Sequence, residues 1–442
     1  MAYYPDWAGD SFPPEKVDFG RIDWIDFAFA VPDEDFGLAW DGADDAPDLL
    51  RRLVDRAHAA GKKVKLSVGG WTGSRYFSPA AASAQNRATL ASNILALYTQ
   101  HGLDGIDLDW EYPAQDGNAG NLVSADDGAQ FLAFLQVLRA TLPDGAVITA
   151  ATQTVPFAGP DGAPMRDVAA FAEVLDWVLL MNYDTWGSST TPGPNAPLSD
   201  ACGNSTQENA SALAALQTWT AAGFPASKLV LGVPSYGYIS RSSASLLRTR
   251  ASHRRGRPIR TRTRKRQRQR QRQRGRLGTR LRSRVLEWVG ALVDKTKVNG
   301  LLPSGARLAY NEDGGTDNGQ VQFRELVRQG ILQPYLSSSN ASDPDSPSSI
   351  DSTTRATNNR EPRRLFAGGG GFERHWDACS GTPFLRSAAA RQVVSYDDPV
   401  SLEMKAEFAR AAGMRGVNLF DVSGDTDDWD LADALLRGVG VK

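Results

Sequence analysis

The sequence predicts an α/β fold, a (β/α)8 TIM barrel with an α+β insertion between strands 7 and 8. Three observations carry that reading. Short apolar runs alternate with helical patterns along most of the chain. The helical patterns stop at Gly or Pro. The gap between the last two apolar runs, from residue 238 to residue 398, is far longer than one crossover helix needs. At 442 residues the chain fits one large barrel with insertions or two packed units, and 41% hydrophobic with 23% charged residues excludes a wholly disordered or fibrous protein.

In chain order the strand candidates are AYYPDW, WIDFAFAV, KVKLSVGGW, GIDLDWE, VITAATQ, WVLLMNYD, KLVLGVPSYG and GVNLFDV. Helices are expected at 48–60, 80–101, 126–142, 167–175, 206–222, 401–412 and 430–436. Eight near-continuous apolar strands, each followed by a helix, read as a closed (β/α)8 barrel rather than an open sheet. The expected division is residues 1–240 for barrel strands 1 to 7, and 241–305 for an Arg-rich low-complexity insert. A small α+β insertion follows at 306–396, with an unfolded tract near 337–364, and 397–442 hold strand 8 and the closing helices. Within the insertion QVQFRELVRQG has helical spacing, whereas FERHWDA and RQVVSYDDP have strand character.

The whole-chain charge of −2 conceals an asymmetry. Residues 248–284 hold 17 Arg and one Lys with no acid, leaving 31 basic residues against 51 acidic elsewhere, a body charge of −20. The Arg tract has two readings: a polyanion-binding insertion, or a translated short nucleotide repeat from a retained intron or frame error. No aromatic residue lies between Ser252 and Val285 to stack on bases, and nucleic acid is not the expected partner. Residues 241–284 supply no strand, carboxylate or aromatic platform and are expected to be dispensable.

Other classes are excluded by what the chain contains. Two cysteines, Cys202 and Cys379, rule out a disulfide framework and a four-Cys zinc site, and the four His show no ligand spacing. No metal or other cofactor is therefore expected. No apolar run approaches the ~18 residues of a membrane span. The opening MAYYPDW shows no secretory signal, so the protein stays inside or its true start lies upstream.

The most informative segment is Leu103-Asp104-Gly105-Ile106-Asp107-Leu108-Asp109-Trp110-Glu111-Tyr112-Pro113. Alternation along a strand puts Asp107, Asp109 and Glu111 on one side and Ile106, Leu108 and Trp110 on the other. In a barrel the apolar set meets the helices and the acids face the axis. Buried charges cost several kcal/mol each unless paired or protonated, so such a row is expected to share protons. Glu111 comes last, at the strand end where barrels place their chemistry.

Asp104-x-x-Asp107-x-Asp109-x-Glu111 resembles the DxxDxDxE motif of glycoside hydrolase family 18, the chitinases and their relatives. Ser67-Val68-Gly69-Gly70 resembles the family's SxGG, Met181-Asn182-Tyr183-Asp184 its MxYD, and Gly232-Val233-Pro234-Ser235-Tyr236-Gly237 its seventh-strand segment. Trp376-Asp377 to Leu385, then Tyr396-Asp397-Asp398-Pro399, are similar to the family's insertion and its exit. The resemblance spans the chain except about 241–305 and 337–364, with details similar to secreted fungal chitinases.

That resemblance implies a chitinase cleaving β-1,4 bonds between N-acetylglucosamine units with retention and substrate assistance. Glu111 would be the acid, Asp109 would orient the acetamide, Asp107 would hold the partner proton, and Tyr183 would bond the acetamide oxygen. Asp184, Met181, Trp71, Tyr236, Trp376 and Tyr4 are the implied sugar contacts. So is Phe420, where the family usually has Trp. Chitin or chitooligosaccharides are the implied partners, the protein is expected to be an extracellular monomer, and Cys202–Cys379 is the expected disulfide, since both flank the insertion and sugar-binding loops. A lectin-like chitin binder and an endo-N-acetylglucosaminidase stay open beside it.

Overall fold

The computed structural model describes residues 1–40, 42–207, 209–247, 305–336 and 363–441. A strand apolar on both faces needs cover on both, and a closed sheet ringed by helices supplies it. That is the outcome. β1 (Ala2–Pro5) runs parallel to β2 (Trp24–Pro32), whose far end carries the short antiparallel β3 (Leu38–Trp40). β4 (Lys63–Gly69), β5 (Gly105–Asp109), β6 (Val147–Thr152), β7 (Trp177–Leu180) and β8 (Leu229–Pro234) follow around the ring.

The chain then leaves the barrel. β9 (Tyr236–Arg241) pairs antiparallel with β10 (Asn318–Gln322) on one side and β15 (Gln392–Ser395) on the other. β13 (Glu373–Asp377) and β14 (Thr382–Ser387) extend that sheet, while β11 (Leu332–Leu336) and β12 (Arg364–Gly368) form a separate pair. β16 (Gly416–Phe420) returns between β8 and β1, and β1 also bonds β2, so eight parallel strands close the ring among the described residues. Here the predicted fold class is met.

Several boundaries differ from the sequence expectation. KLVLGVPSYG is two strands: Ser235 donates its N–H to Phe420 and accepts from Phe323, which ends the barrel ladder and starts the insertion sheet at Tyr236, upstream of the expected boundary at 240. Residues 241–247 are folded too. Ser242 N–H bonds the Arg391 carbonyl at 2.8 Å, and Leu247 packs on Phe384 and Val393. In QVQFRELVRQG the first three residues belong to β10 and only Phe323–Arg328 is helical. The tract expected near 337–364 loses its last residues to the fold, since Arg364 begins β12. The expectations for 248–304 and 337–362 fall outside the described residues.

Helix ends follow their caps. The helix expected from 80 starts at Ala84, because the Ser83 hydroxyl caps the Asn86 N–H, and it stops where Gly102 takes φ +63°. Ser211 likewise starts Ala212–Ala221 later than the expected 206. At the exit from the insertion, Asp398 and Ser401 form a reciprocal cap on Pro399–Ala411. Its neighbours Asp397 and Lys405 form a wholly buried ion pair. No helix among the described residues is long and apolar enough to cross a membrane.

Cys202 and Cys379 are joined, with Cα atoms 5.2 Å apart. The bond ties the loop after β7 to the turn between β13 and β14, beside backbone bonds from Leu198 to Ser380 and Ala201 to Cys379. Replacing both cysteines by Ser should lower stability by about 2–4 kcal/mol, since a long loop is freed in the unfolded chain; an unchanged unfolding free energy would show that the flanking bonds suffice. A chain lacking 248–284 should unfold within ~1 kcal/mol of the full protein, because closure entropy changes slowly with loop length. Urea titration reads both.

Candidate active site

Along β5, Ile106, Leu108 and Trp110 join the core under the helices, with Trp110 stacked on Phe77 at 5.2 Å. Asp107 and Asp109, at 0% and 3% exposure, take the opposite side and face the barrel axis. Glu111 lies two residues past the strand, half-buried at the mouth. Its N–H bonds the Ser74 hydroxyl at 2.8 Å and its carbonyl accepts from Asn121 at 3.0 Å, which fixes the backbone carrying the acid. Gly69 makes this approach possible. It sits at φ +115°, and a Cβ there would lie 2.2 Å from the Asp109 carbonyl. Asp104, the first acid of the motif, is at the other end of the strand, held by Lys63, His58 and the Val64 N–H.

Each carboxyl has a different environment. Asp107 accepts hydroxyl bonds from Tyr3 and Ser67 at 2.8 Å on one oxygen and from Thr149 at 2.5 Å on the other. Among the described residues Asp109 has no partner for Oδ1, and burial, then the charges of Glu111 and Asp107, push it well above the usual carboxylate range. Burial likewise raises Glu111 from near 4.5 to about 7, with Asp184 adding to it and a Tyr112 hydrogen bond opposing it. Burial also raises Asp184, against hydrogen bonds at 2.7 Å from the Tyr236 and Tyr238 hydroxyls. The arrangement can offer a proton near neutral pH beside a second carboxyl whose charged form burial disfavours.

The floor is aromatic. The Phe420 ring lies 5.2 Å from Tyr3 and 5.8 Å from Tyr183, and Met181 packs with Phe420 on the interior apolar cluster. Tyr183 and Tyr236 meet edge to face at 6.2 Å. Burial raises the Tyr183 hydroxyl well above its usual range, and the charges of Asp109, Asp184 and Glu111 add to it, which places these groups within electrostatic reach of one another. Trp71 follows β4 in Gly70–Gly73 and is 50% exposed. Trp376 sits on β13, the outermost strand of the insertion sheet, with the Arg374 guanidinium over its ring.

Tyr4 is not at the site. It is fully buried on the helix side, bonding the Phe12 carbonyl and stacking on Phe27, and Tyr3 takes the inward position instead. The reason is strand parity: Tyr4 pairs with outward Phe27, and Tyr3 with inward Asp26. Sequence reasoning also missed Ser67 and Thr149 as partners of Asp107, Tyr238 on Asp184, and exposed Trp7 stacked on Phe29. For Tyr3, Ser67 and Thr149 the signal was the same alternation that placed the acids. Among the described residues no group of three or more His, Cys, Asp or Glu is placed to hold a metal ion.

Residues 1–425 match the model of the glycosyl hydrolases family 18. The whole chain is 32% identical to a chitinase-like effector of Moniliophthora roreri, over 93% of that protein. A 40% share of it is 37% identical to chitinase 1 of Aphanocladium album, covering 41% of the latter. Among solved structures, a chitinase from Rhizomucor miehei superposes with a TM-score of 0.70 at 27% identity, covering 99% of this chain and 98% of that one.

The raised value of Glu111 has a stability consequence. The folded state holds a proton that the unfolded chain releases near 4.5, so its contribution is full below that pH and lost as pH rises through about 7. Glu111→Gln should therefore unfold at a higher temperature than the parent at pH 8, by the equivalent of about 1–3 kcal/mol, with the gap closing at pH 4. Equal melting curves at pH 8 would mean that the carboxylate is well solvated.

Proposed function

Because the chain belongs to glycosyl hydrolase family 18, we propose that it hydrolyses the β-1,4 bonds of chitin and chitooligosaccharides by a retaining, substrate-assisted route. The observation that carries this reading is the pairing of Glu111, raised to about 7 at the mouth, with buried Asp109 whose Oδ1 lacks a partner. Glu111 gives its proton to the leaving glycosidic oxygen. The 2-acetamido carbonyl of the sugar attacks the anomeric carbon from the other face, forming an oxazolinium-like intermediate that water opens.

Asp109 accepts the acetamide N–H and orients the group for attack, while the Tyr183 hydroxyl supports the acetamide oxygen. Phe420 underlies the sugar as an apolar platform, and Trp71 and Trp7, half exposed at neighbouring strand ends, extend the aromatic surface for further sugars. Asp184, Tyr236 and Tyr238 form the wall beside Glu111. The Cys202–Cys379 bond supports an extracellular setting, where oxidising conditions preserve it. Chitin binding without turnover is the second reading, favoured by the full-length relative described as a chitinase-like effector.

Hydrolysis of chitooligosaccharides of defined length separates the two. Glu111→Gln should retain oligosaccharide binding while turnover falls by about 10²–10⁴-fold, because the amide keeps the shape and has no proton to give. Binding by the parent with no products would favour the second reading. Cellooligosaccharides, which lack the acetamide, should bind weakly and stay intact; their efficient cleavage would remove substrate assistance.

A further inference from the structure

A lysine lies within the barrel beneath the acids. Lys65, at 1% exposure, is the inward residue on β4 two before Ser67. Its ammonium pairs with Asp26 Oδ1 at 3.0 Å, donates to Thr149 Oγ1 at 2.6 Å, lies 3.9 Å from Asp107 Oδ1 and faces the Trp177 ring at 4.8 Å. The family motifs around the acids do not include it.

The hydrogen bonds fix a direction. An ammonium can only donate, and a threonine hydroxyl has one proton, so Thr149 accepts from Lys65 and must donate to Asp107. Asp107 Oδ1 is thereby held as an acceptor, whereas Oδ2, facing the Tyr3 and Ser67 hydroxyls, has partners that can rotate. Asp109, next along the strand, has no comparable donor on Oδ1.

Resting on the proposed mechanism, we infer that Lys65 is a positioning residue: acting through Thr149, it holds Asp107 as the anion, so that Asp109 keeps the proton of the pair when it turns to the substrate. No proton is gained or lost in that movement. It stays on Asp109, and the charge left on Asp107 is balanced by the lysine below.

Seven of the eight ring strands contribute a group to this balance. Tyr3 comes from β1, Asp26 from β2, Ser67 from β4, Asp109 from β5, Thr149 from β6 and Trp177 from β7. From β16, Asn418 donates to Asp26 Oδ2 at 3.1 Å, and the Met1 amine also acts on Asp26 from outside the cage. Asp26 is pushed by burial to about 6, with Lys65 opposing.

Lys65→Met alone leaves Asp26 buried without its cation and is liable to misfold. The test therefore uses Asp26→Asn/Lys65→Met, which removes both charges, and Thr149→Val, which cuts the relay and keeps them. Carboxyl ¹³C NMR of aspartate-labelled protein, assigned with Asp107→Asn and Asp109→Asn, follows both acids through pH without requiring turnover. The expected result is a rise of about one pH unit or more in the Asp107 midpoint in both variants. The acid limb of the pH–rate profile on chitooligosaccharides should move upward with it, with kcat falling and KM changed by less than about twofold. Folded variants whose Asp107 midpoint stays within ~0.2 unit of the parent would overturn the inference. A parent that hydrolyses nothing would instead defeat the proposed function and leave the NMR titration to decide on Lys65.

Discussion

Carboxyl groups inside a parallel barrel are the constraint around which this molecule is organised. A barrel interior is a packed core, and two aspartates facing its axis would each cost several kcal/mol if left ionised and unpartnered. The fold answers differently for each. Asp107 is surrounded by three hydroxyls, while burial and its acidic neighbours press Asp109 toward its protonated form. The inward residues of the neighbouring strands, Tyr3, Ser67 and Thr149, are hydroxyl-bearing where a plain core would carry aliphatic side chains.

The same constraint explains the backbone. A carboxylate row is useful only if its last member reaches the mouth, so the chain must leave β5 in a defined direction. Ser74 bonds the carbonyls of Gly70 and Asp109 and receives the Glu111 N–H, joining the loop after β4 to the end of β5. A side chain at Gly69 would occupy that space. Farther out, Asp184 is aimed by phenols from β9, the first strand of the insertion sheet. The insertion is thus part of the site's wall, and the disulfide at its other end holds it to the loop that carries Asp184. Local hydrogen bonding at the acids and long-range stapling of the insertion serve one geometry.

Much of the barrel was legible because its signals are local and periodic. The eight apolar runs and the alternation in Ile106 to Glu111 need only near-neighbour reasoning, and a motif matched in order along the chain identified the family before any coordinate. The insertion was less legible. Tyr236 to Arg241 follows β8 after the single residue Ser235, and what makes them separate strands is Ser235 pairing with Phe420 and Phe323, residues far away in sequence. Leu247 lies in a short Leu-Leu pair among polar residues, and only the fold shows that it is covered by Phe384 and Val393 while Leu246 stays exposed.

By itself the sequence determined the fold class, the face on which the acids lie, and the identity of the proton-bearing candidate Glu111, because these follow from period and residue chemistry. Tertiary structure decided which residues surround the acids. Tyr3 rather than Tyr4 faces the axis because β1 registers Tyr3 against Asp26. Lys65 lies under Asp107 because β4 and β5 pair Ser67 with Asp107, one inward layer above it. Register between strands is set by the closure of the whole ring, and a single strand's sequence contains no record of its neighbour's position.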